Sequence, residues 1–444
     1  MTPATPEPQP APVPVATQAG DIRARWAWTE PGVWTDRMLT ALEQGVQGGV
    51  WFSLIDKVYA LRTLAAAWRH VKANAGAAGV DHVTVAMYER NVDIHLSHVS
   101  QQLRDGTYRP QPVRRTWIDK PGRREQRPLG IPTVRDRIVQ TALRLVLEPI
   151  FERHFAAHSY GFRPGRGSKD ALRRVTALLD AGYTRVVDAD LRSYFDSIPH
   201  QALLARVRTR IADGRVLALL EQLLTQGVMD GLAVWTPEEG TPQGAVVSPL
   251  LANIYLDPLD HEMAAAGMEM VRYADDYVVL CRTDAEAEQA LTRITAWTQA
   301  AGLTLHPQKT RLVDATQPGG FDFLGYHFER GTRWPRPTSL GKLTARLRAK
   351  TRRTRGESLA VIIADVNRTL RGWYGYFQHS HRTTFPRLDS WLRMRLRSIL
   401  RKRTGRRGRA RGRDHQRWPN GFFADHELFC LTTAHRLARQ SAQR

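Results

Sequence analysis

The most constraining stretch of the chain is Tyr273-Ala274-Asp275-Asp276, which sets two adjacent carboxylates between two apolar runs, Met268 to Val271 and Tyr277 to Leu280. Apolar runs interrupted so briefly read as strand, tight turn, strand, with both acids at the tip. Neighbouring carboxylates repel, so the pair is stable only where water solvates it or a cation neutralises it. One reading is a solvated hairpin turn whose Asp side chains serve local hydrogen bonds. The other is a set of hard oxygen ligands for a divalent cation. The rest of the chain has to separate the two.

Charge narrows the partners. The 444 residues carry a net charge of +22, and Gly341 to Arg444 holds 26 Lys and Arg against 6 Asp and Glu, a surplus of 20. The first 340 residues are nearly balanced. One terminal quarter therefore supplies almost all of the attraction for a polyanion. Two distant cysteines, Cys281 and Cys430, exclude a disulfide framework and a multi-Cys zinc module, and they suit a reducing cytoplasm. No apolar run approaches the roughly 20 residues of a membrane span. Residues 1–20 hold six prolines and a single charge, Glu7, and read as a disordered leader rather than a signal peptide.

The stretch 21–105 reads as a helical extension. Leu61, Leu64, Ala65 and Trp68 fall on one helical face, Gly76 to Asp81 forms a loop, and a second helix is predicted over Val85 to Leu103. A strand through Ile118, a basic turn at Lys120 to Arg123 and an extended Arg127 to Pro132 make a flap suited to phosphates, or merely a solvated surface hairpin. Helical spacing returns from Asp136 to Phe155. Tyr160 to Gly165 breaks it, and Ser168 is the predicted cap of a helix over Lys169 to Leu179. Arg185 to Leu191 reads as a buried strand ending in acid at Asp190, a candidate third ligand. A helix-capping role would explain Asp196 better than Asp190. Gly240 to Gly244 forms a glycine-bounded loop that runs into an apolar helix from Ser248.

Asp190 with an aromatic five residues on, then Thr241-Pro242-Gln243-Gly244, then Tyr273 to Asp276 resembles the palm of reverse transcriptases. The stretch from Tyr108 to Tyr326 most resembles the group II intron-encoded type, the intron maturases. Arg127 to Pro132, Tyr160 to Gly165, Asp188 to Asp196, Gly240 to Leu256, Tyr273 to Asp276, Gly302 to Thr310 and Phe321 to Tyr326 each match a block of that family in order. The resemblance implies an α/β (α+β) right-hand polymerase. Its fingers and palm would cover 106–332, a helical thumb or maturase domain 333–400, and a basic nucleic-acid-binding segment 401–444.

Carried over position by position, the resemblance implies that Asp190, Asp275 and Asp276 are the catalytic carboxylates and bind two Mg²⁺. It places Phe195 under the sugar, where it would exclude a 2′-hydroxyl, and Gln243 at the nucleotide. Lys120 and Arg127 would hold the triphosphate. Lys309 would lie near the leaving phosphates, with a solvated surface lysine as the alternative. Asn367 to Phe377 resembles the maturase-specific thumb, which in that family grips intron RNA, so Arg368 and Arg371 are candidate RNA-binding residues; helical spacing turns Leu370, Trp373, Tyr374 and Phe377 largely to the core and Arg368 and Arg371 outward. Arg401, Lys402, Arg403, Arg406, Arg407, Arg409, Arg411 and Arg413 form a tract expected to be ordered only by nucleic-acid phosphate. Trp418 to Leu431 is aromatic enough to dock back on the body.

The expected function is an RNA-directed DNA polymerase that binds group II intron RNA, assists splicing, and copies it into DNA from a target-site primer using dNTPs. No membrane partner is expected, and the bacterial cytoplasm is the expected location, with nucleoid association when DNA is bound. With no usable Cys pair, the nuclease domain found in many relatives is expected to be missing, so mobility would rely on nicks or replication-fork primers. The nearest alternative keeps the enzyme as a domesticated or defence-associated reverse transcriptase; another keeps only RNA folding, which would have no need of Asp190, Asp275 and Asp276.

Overall fold

The computed structural model describes residues 21–119, 126–231 and 233–442. The apolar runs around the acidic turn become two strands, Glu269–Tyr273 and Asp276–Cys281, of a four-stranded antiparallel sheet. Eleven strands occur among the described residues: β1 (Val113–Asp119), β2 (Gln126–Ile131), β3 (Arg185–Asp190), β4 (Val228–Asp230), β5 (Ala233–Trp235), β6 (Glu269–Tyr273), β7 (Asp276–Cys281), β8 (Arg311–Asp314), β9 (Phe321–Phe323), β10 (Tyr326–Glu329) and β11 (Thr332–Pro335). The palm sheet runs β6-β7-β3-β8. A finger sheet runs β2-β1-β4-β5, and a small meander runs β11-β10-β9.

Strand periodicity divides the palm sheet between two cores. Val187, Ala189, Tyr277, Val279 and Cys281 face the helices Ser248–Ala265 and Asp284–Ala300. Val186, Val278 and Leu280 face the helix Ser168–Asp180 and the aromatic meander of Phe321, Phe323, Tyr326 and Phe328. With both faces covered by apolar side chains, the sheet is rigid enough to hold charged groups at its end. Among the described residues no helix is long and apolar enough to cross a membrane.

Packing does not break at residue 105. Trp34, Leu64 and Val99 share one core with Leu143, Val187 and Leu251. Trp34 is fully buried, donates its indole N–H to the Leu145 carbonyl at 3.0 Å and meets Trp51 edge-on at 5.5 Å. The predicted helix over Val85 to Leu103 is instead two helices, Val85–Glu89 and Val92–Asp105, because Asn91 takes non-helical torsions and starts the second. The predicted Ser168 cap moves back one residue. Gly167 is the cap, and its N–H is accepted by Asp170 at 2.8 Å.

Nor does packing break at residue 400. The thumb helices Pro337–Lys350, Leu359–Phe377 and Thr384–Arg403 enclose Leu343, Ile362, Leu370, Phe385 and Leu396, and the same core takes in Trp418, Phe423 and Leu431. The aromatic tail thus docks on the thumb.

The expectation that Arg401 to Arg413 requires phosphate for order is corrected. Arg401, Lys402 and Arg403 end a helix, and the following loop is held from within. Buried Asp414 accepts from Arg401 at 2.6 Å and from the Arg411 N–H at 3.0 Å. Arg401 also binds the Arg407 carbonyl, and Arg353 binds the Gly408 carbonyl. Self-repulsion is outweighed because one carboxylate and several carbonyls sit inside the curl.

One carboxylate ties the N-terminal helices to the palm. Asp213 accepts from the N–H groups of Leu54 and Ile55 at 2.7 and 2.8 Å, and from those of Arg215 and Val216 at 3.0 and 3.1 Å. Burial alone would raise its pKa, but the four N–H donors outweigh burial and bring it below the ordinary carboxylate range. Its stabilisation is therefore complete above the unfolded pKa and is lost as pH falls through the lower folded value. Asp213→Ala should cost about 2 kcal/mol or more at pH 7 by denaturant unfolding, and less near pH 3. An equal deficit at both pH values would contradict this capping role.

Candidate active site

The acidic turn is a two-residue hairpin. Tyr273 pairs with Asp276, and Ala274 takes φ of +59°, in the left-handed region such hairpins use. The neighbouring register is decisive, because Asp190 lies directly opposite Asp276 on the antiparallel β3–β7 pair. Directly opposed residues project from the same face, so two carboxylates meet across the ladder, where like charges destabilise. Asp188, two residues earlier, shares that face. Burial first, then Asp275, Asp188 and Asp190, push the Asp276 carboxyl up to about 7, while a hydrogen bond from the Leu324 backbone N–H opposes the rise.

Basic side chains answer part of this charge. Lys309 places its ammonium 2.5 Å from Oδ2 of Asp190, and its loop is anchored where the His306 N–H donates to the Asp190 carbonyl at 2.8 Å. The structure thus brings Lys309 to the acidic cluster. Arg311 holds Asp188 at 3.1 Å, opposing the upward shift that burial imposes on it.

Among the described residues no three acidic, histidine or cysteine side chains converge as a finished ligand group. Lys309 holds the Asp190 carboxylate instead. The donors nevertheless fit a hard divalent cation. They are all carboxylate oxygens, and Asp276, raised to about 7 by burial and by the neighbouring carboxylates, would be favoured in its charged form by a cation.

Phe195 lies in the short helical turn that follows β3 and Asp190. Phe195 meets Tyr194 and exposed Phe162 edge-on at 5.6 and 6.5 Å. Gln243 donates through Nε2 to Asp196 at 3.0 Å, and its carbonyl accepts from the Gly130 N–H at 2.6 Å. The loop is pressed against both neighbours. A Cβ on Gly240, at φ +90°, would meet the Asp196 carbonyl oxygen at 2.8 Å, and one on Gly244 the Gly130 oxygen at 2.5 Å. The glycines at 240 and 244 are therefore required by close backbone approach.

Lys120 lies outside the described residues, and Arg127 is described only by its backbone place in β2, opposite Ile118. Arg368 and Arg371 face out from the thumb helix Leu359–Phe377, as expected, with Leu370, Tyr374 and Phe377 turned inward. Lys402, Arg403, Arg406, Arg407, Arg409, Arg411 and Arg413 are exposed, whereas Arg401 is half-buried against Asp414.

The sequence reading missed Asp188, although its two-residue spacing from Asp190 puts both on one strand face. It also missed the buried Arg272 beneath the turn. Nothing in local pattern distinguishes that arginine from a surface one.

The sequence pattern of the family described as "Reverse transcriptase (RNA-dependent DNA polymerase)" matches residues 118–328, and that of "Group II intron, maturase-specific domain" matches residues 340–418. Protein YkfC of Escherichia coli (strain K12) is 33% identical over 346 residues, covering 69% of this chain and 86% of that protein. The chain belongs to the group II intron reverse transcriptase and maturase family. Group II intron-encoded protein LtrA of Lactococcus lactis subsp. cremoris is 38% identical over 183 residues, covering 41% of this chain and 30% of LtrA. An uncharacterized 91 kDa protein in the cob intron of Schizosaccharomyces pombe is 30% identical over 284 residues, covering 51% of this chain and 35% of that protein. The family assigns an α/β right-hand fold, RNA-directed DNA polymerase activity, a general dependence on divalent metal, and maturase function on intron RNA.

Asp276 also links function to stability. Because its folded pKa is raised, the folded state loses stability as pH climbs from the unfolded value of 3.8 to about 7, and the penalty is complete above that. In metal-free protein, Asp276→Asn should therefore stabilise the fold at pH 8, by on the order of 1–2 kcal/mol after solvent screening, and hardly at pH 4. Thermal melts at the two pH values test this, and a destabilised pH 8 variant would refute it.

Proposed function

We propose that Asp190, Asp275 and Asp276 hold two Mg²⁺ and that the site adds deoxynucleotides to the 3′ end of a target-site DNA primer, with intron RNA as template. The register that faces Asp190 with Asp276 is the observation that most supports it. When bound, the ions would activate the primer 3′-hydroxyl and offset charge on the departing pyrophosphate.

The chain's own residues would do the selecting and orienting. Phe195, braced by Tyr194 and Phe162, would exclude a ribose 2′-hydroxyl by contact. Gln243, tied to Asp196 through its side chain and to Gly130 through its backbone, would wall the nucleotide sugar and template base. Lys309, already seated on Asp190, would turn to the leaving phosphates, while Lys120 and Arg127 would approach the triphosphate from the finger flap. The exposed cations of the thumb and of residues 402–413 would hold RNA and primer backbone. Two free thiols, Cys281 and Cys430, suit a bacterial cytoplasmic location, with nucleoid association on DNA.

Replacing Asp275 and Asp276 together by Ala should abolish cDNA synthesis in a primer-extension assay while leaving intron RNA affinity intact. Loss of both activities together would mean that the pair is structural. Phe195→Ala should lower discrimination of dNTP over rNTP, read as the ratio of kcat/KM values, by about tenfold or more. Undiminished discrimination would remove Phe195 from that role.

A further inference from the structure

The side chain that holds the acidic turn from below is Arg272, the residue before it, which is fully buried. Its Nε donates to both oxygens of Asp260 at 2.8 and 2.9 Å, and its Nη2 closes the fork on the same carboxylate. Nη1 is divided between two acceptors, Oδ1 of Asn253 at 2.9 Å and the carbonyl of Ala274 at 3.0 Å. Asn253 then donates through Nδ2 to the Gly161 carbonyl at 2.8 Å. Asn253 and Asp260 lie two turns apart on the helix Ser248–Ala265 and so present one face to the arginine.

The backbone repeats this linkage. Arg272 N–H donates to the His158 carbonyl at 3.0 Å, and Tyr160 N–H donates to the Arg272 carbonyl at 2.8 Å. Contact is so close that a Cβ on Gly161 would meet the Ala274 nitrogen at 2.2 Å and the Tyr273 carbonyl carbon at 2.8 Å. Ala274, at φ +59°, is strained for a residue with a side chain. Such a conformation persists only where its surroundings over-determine it.

An ion pair serving stability alone is weakly explained, because apolar residues of similar volume often do as well or better. An apolar replacement could not bond the carbonyl of the strained turn residue. We propose that Arg272 is a positioning residue for the Tyr273 to Asp276 turn, and that through Asn253 it locks this turn to the Tyr160-Gly161 segment. The clamp sets where Asp275 and Asp276 stand relative to Asp190. It rests on the polymerase reading of those carboxylates.

The test uses the full chain carrying Asn253→Asp, which is nearly isosteric. This variant keeps an acceptor for Arg272 but replaces the donor to Gly161 with a second acceptor. Primer extension well below the melting temperature should show kcat down by about 10- to 100-fold, the effect of a small misplacement at a reacting centre, with dNTP KM and RNA affinity little changed. Arg272→Lys, which keeps the charge for Asp260 and loses the fork, should give the same split, and it reads the clamp if the first variant melts too low. Full kcat in either folded variant overturns the clamp. A loss of kcat matched by a loss of RNA affinity also overturns it, since that reports general unfolding. Asp276→Asn separates the two ideas: if that variant still makes cDNA at the full rate, the reading of these carboxylates as the catalytic metal ligands fails, and if it is dead while Asn253→Asp is fully active only the clamp fails.

Discussion

The structure is organised around a local electrostatic penalty, the facing of Asp190 and Asp276 across β3 and β7. Opposed carboxylates weaken a ladder, and Asp188 and Asp275 add to the charge. Lys309, Arg311 and the Leu324 N–H compensate only partly, since the Asp276 proton is still held to about 7. A sheet can carry such a defect only if the rest of it is strongly packed. Here one face is sealed by Val187, Tyr277 and Val279 against two helices, and the other by Val186, Val278 and Leu280 against a helix and an aromatic meander.

That meander connects the acidic cluster to the thumb. Leu324, whose N–H reaches Asp276, gives its carbonyl to the Tyr376 hydroxyl at 2.7 Å, and the Tyr326 hydroxyl donates to the Tyr376 carbonyl at 2.7 Å. Phe377 packs in the same cluster as Phe321 and Phe323. The end of the maturase helix is therefore joined through one hairpin to a carboxylate of the proposed metal site.

How much of this was legible in sequence depended on the range of the forces. The β6 and β7 strands, the turn between them and the order of the family blocks are local patterns, and they pointed to the fold and to Asp190, Asp275 and Asp276 as candidates. Lys309 was ambiguous because its partner lies 119 residues away, and only folding brings the two together. Arg272 was invisible for a similar reason. A buried arginine is distinguished from a surface one by Asp260 and Asn253 on another element, and no periodicity in its own strand reports them. The Ser168 cap failed more simply, since Gly167 takes the cap position and its N–H is held by Asp170, three residues on.

The basic tract shows the same limit from the opposite side. Counting charge from Arg401 to Arg413 led to the expectation of a segment ordered only on phosphate, because local reasoning sees repulsion and not the remote groups that relieve it. Asp414, the Ser398 hydroxyl that accepts from the Ala410 N–H, and Arg353 fold the tract against the thumb before any ligand arrives. The consequence is energetic. A disordered cationic tail must lose its conformational entropy on binding, at a cost that subtracts from affinity, whereas the backbone of this tract has largely lost it in folding. Their exposed guanidinium groups stand on an already ordered backbone, so the phosphate-binding role proposed for them would not require the tract to fold on its ligand.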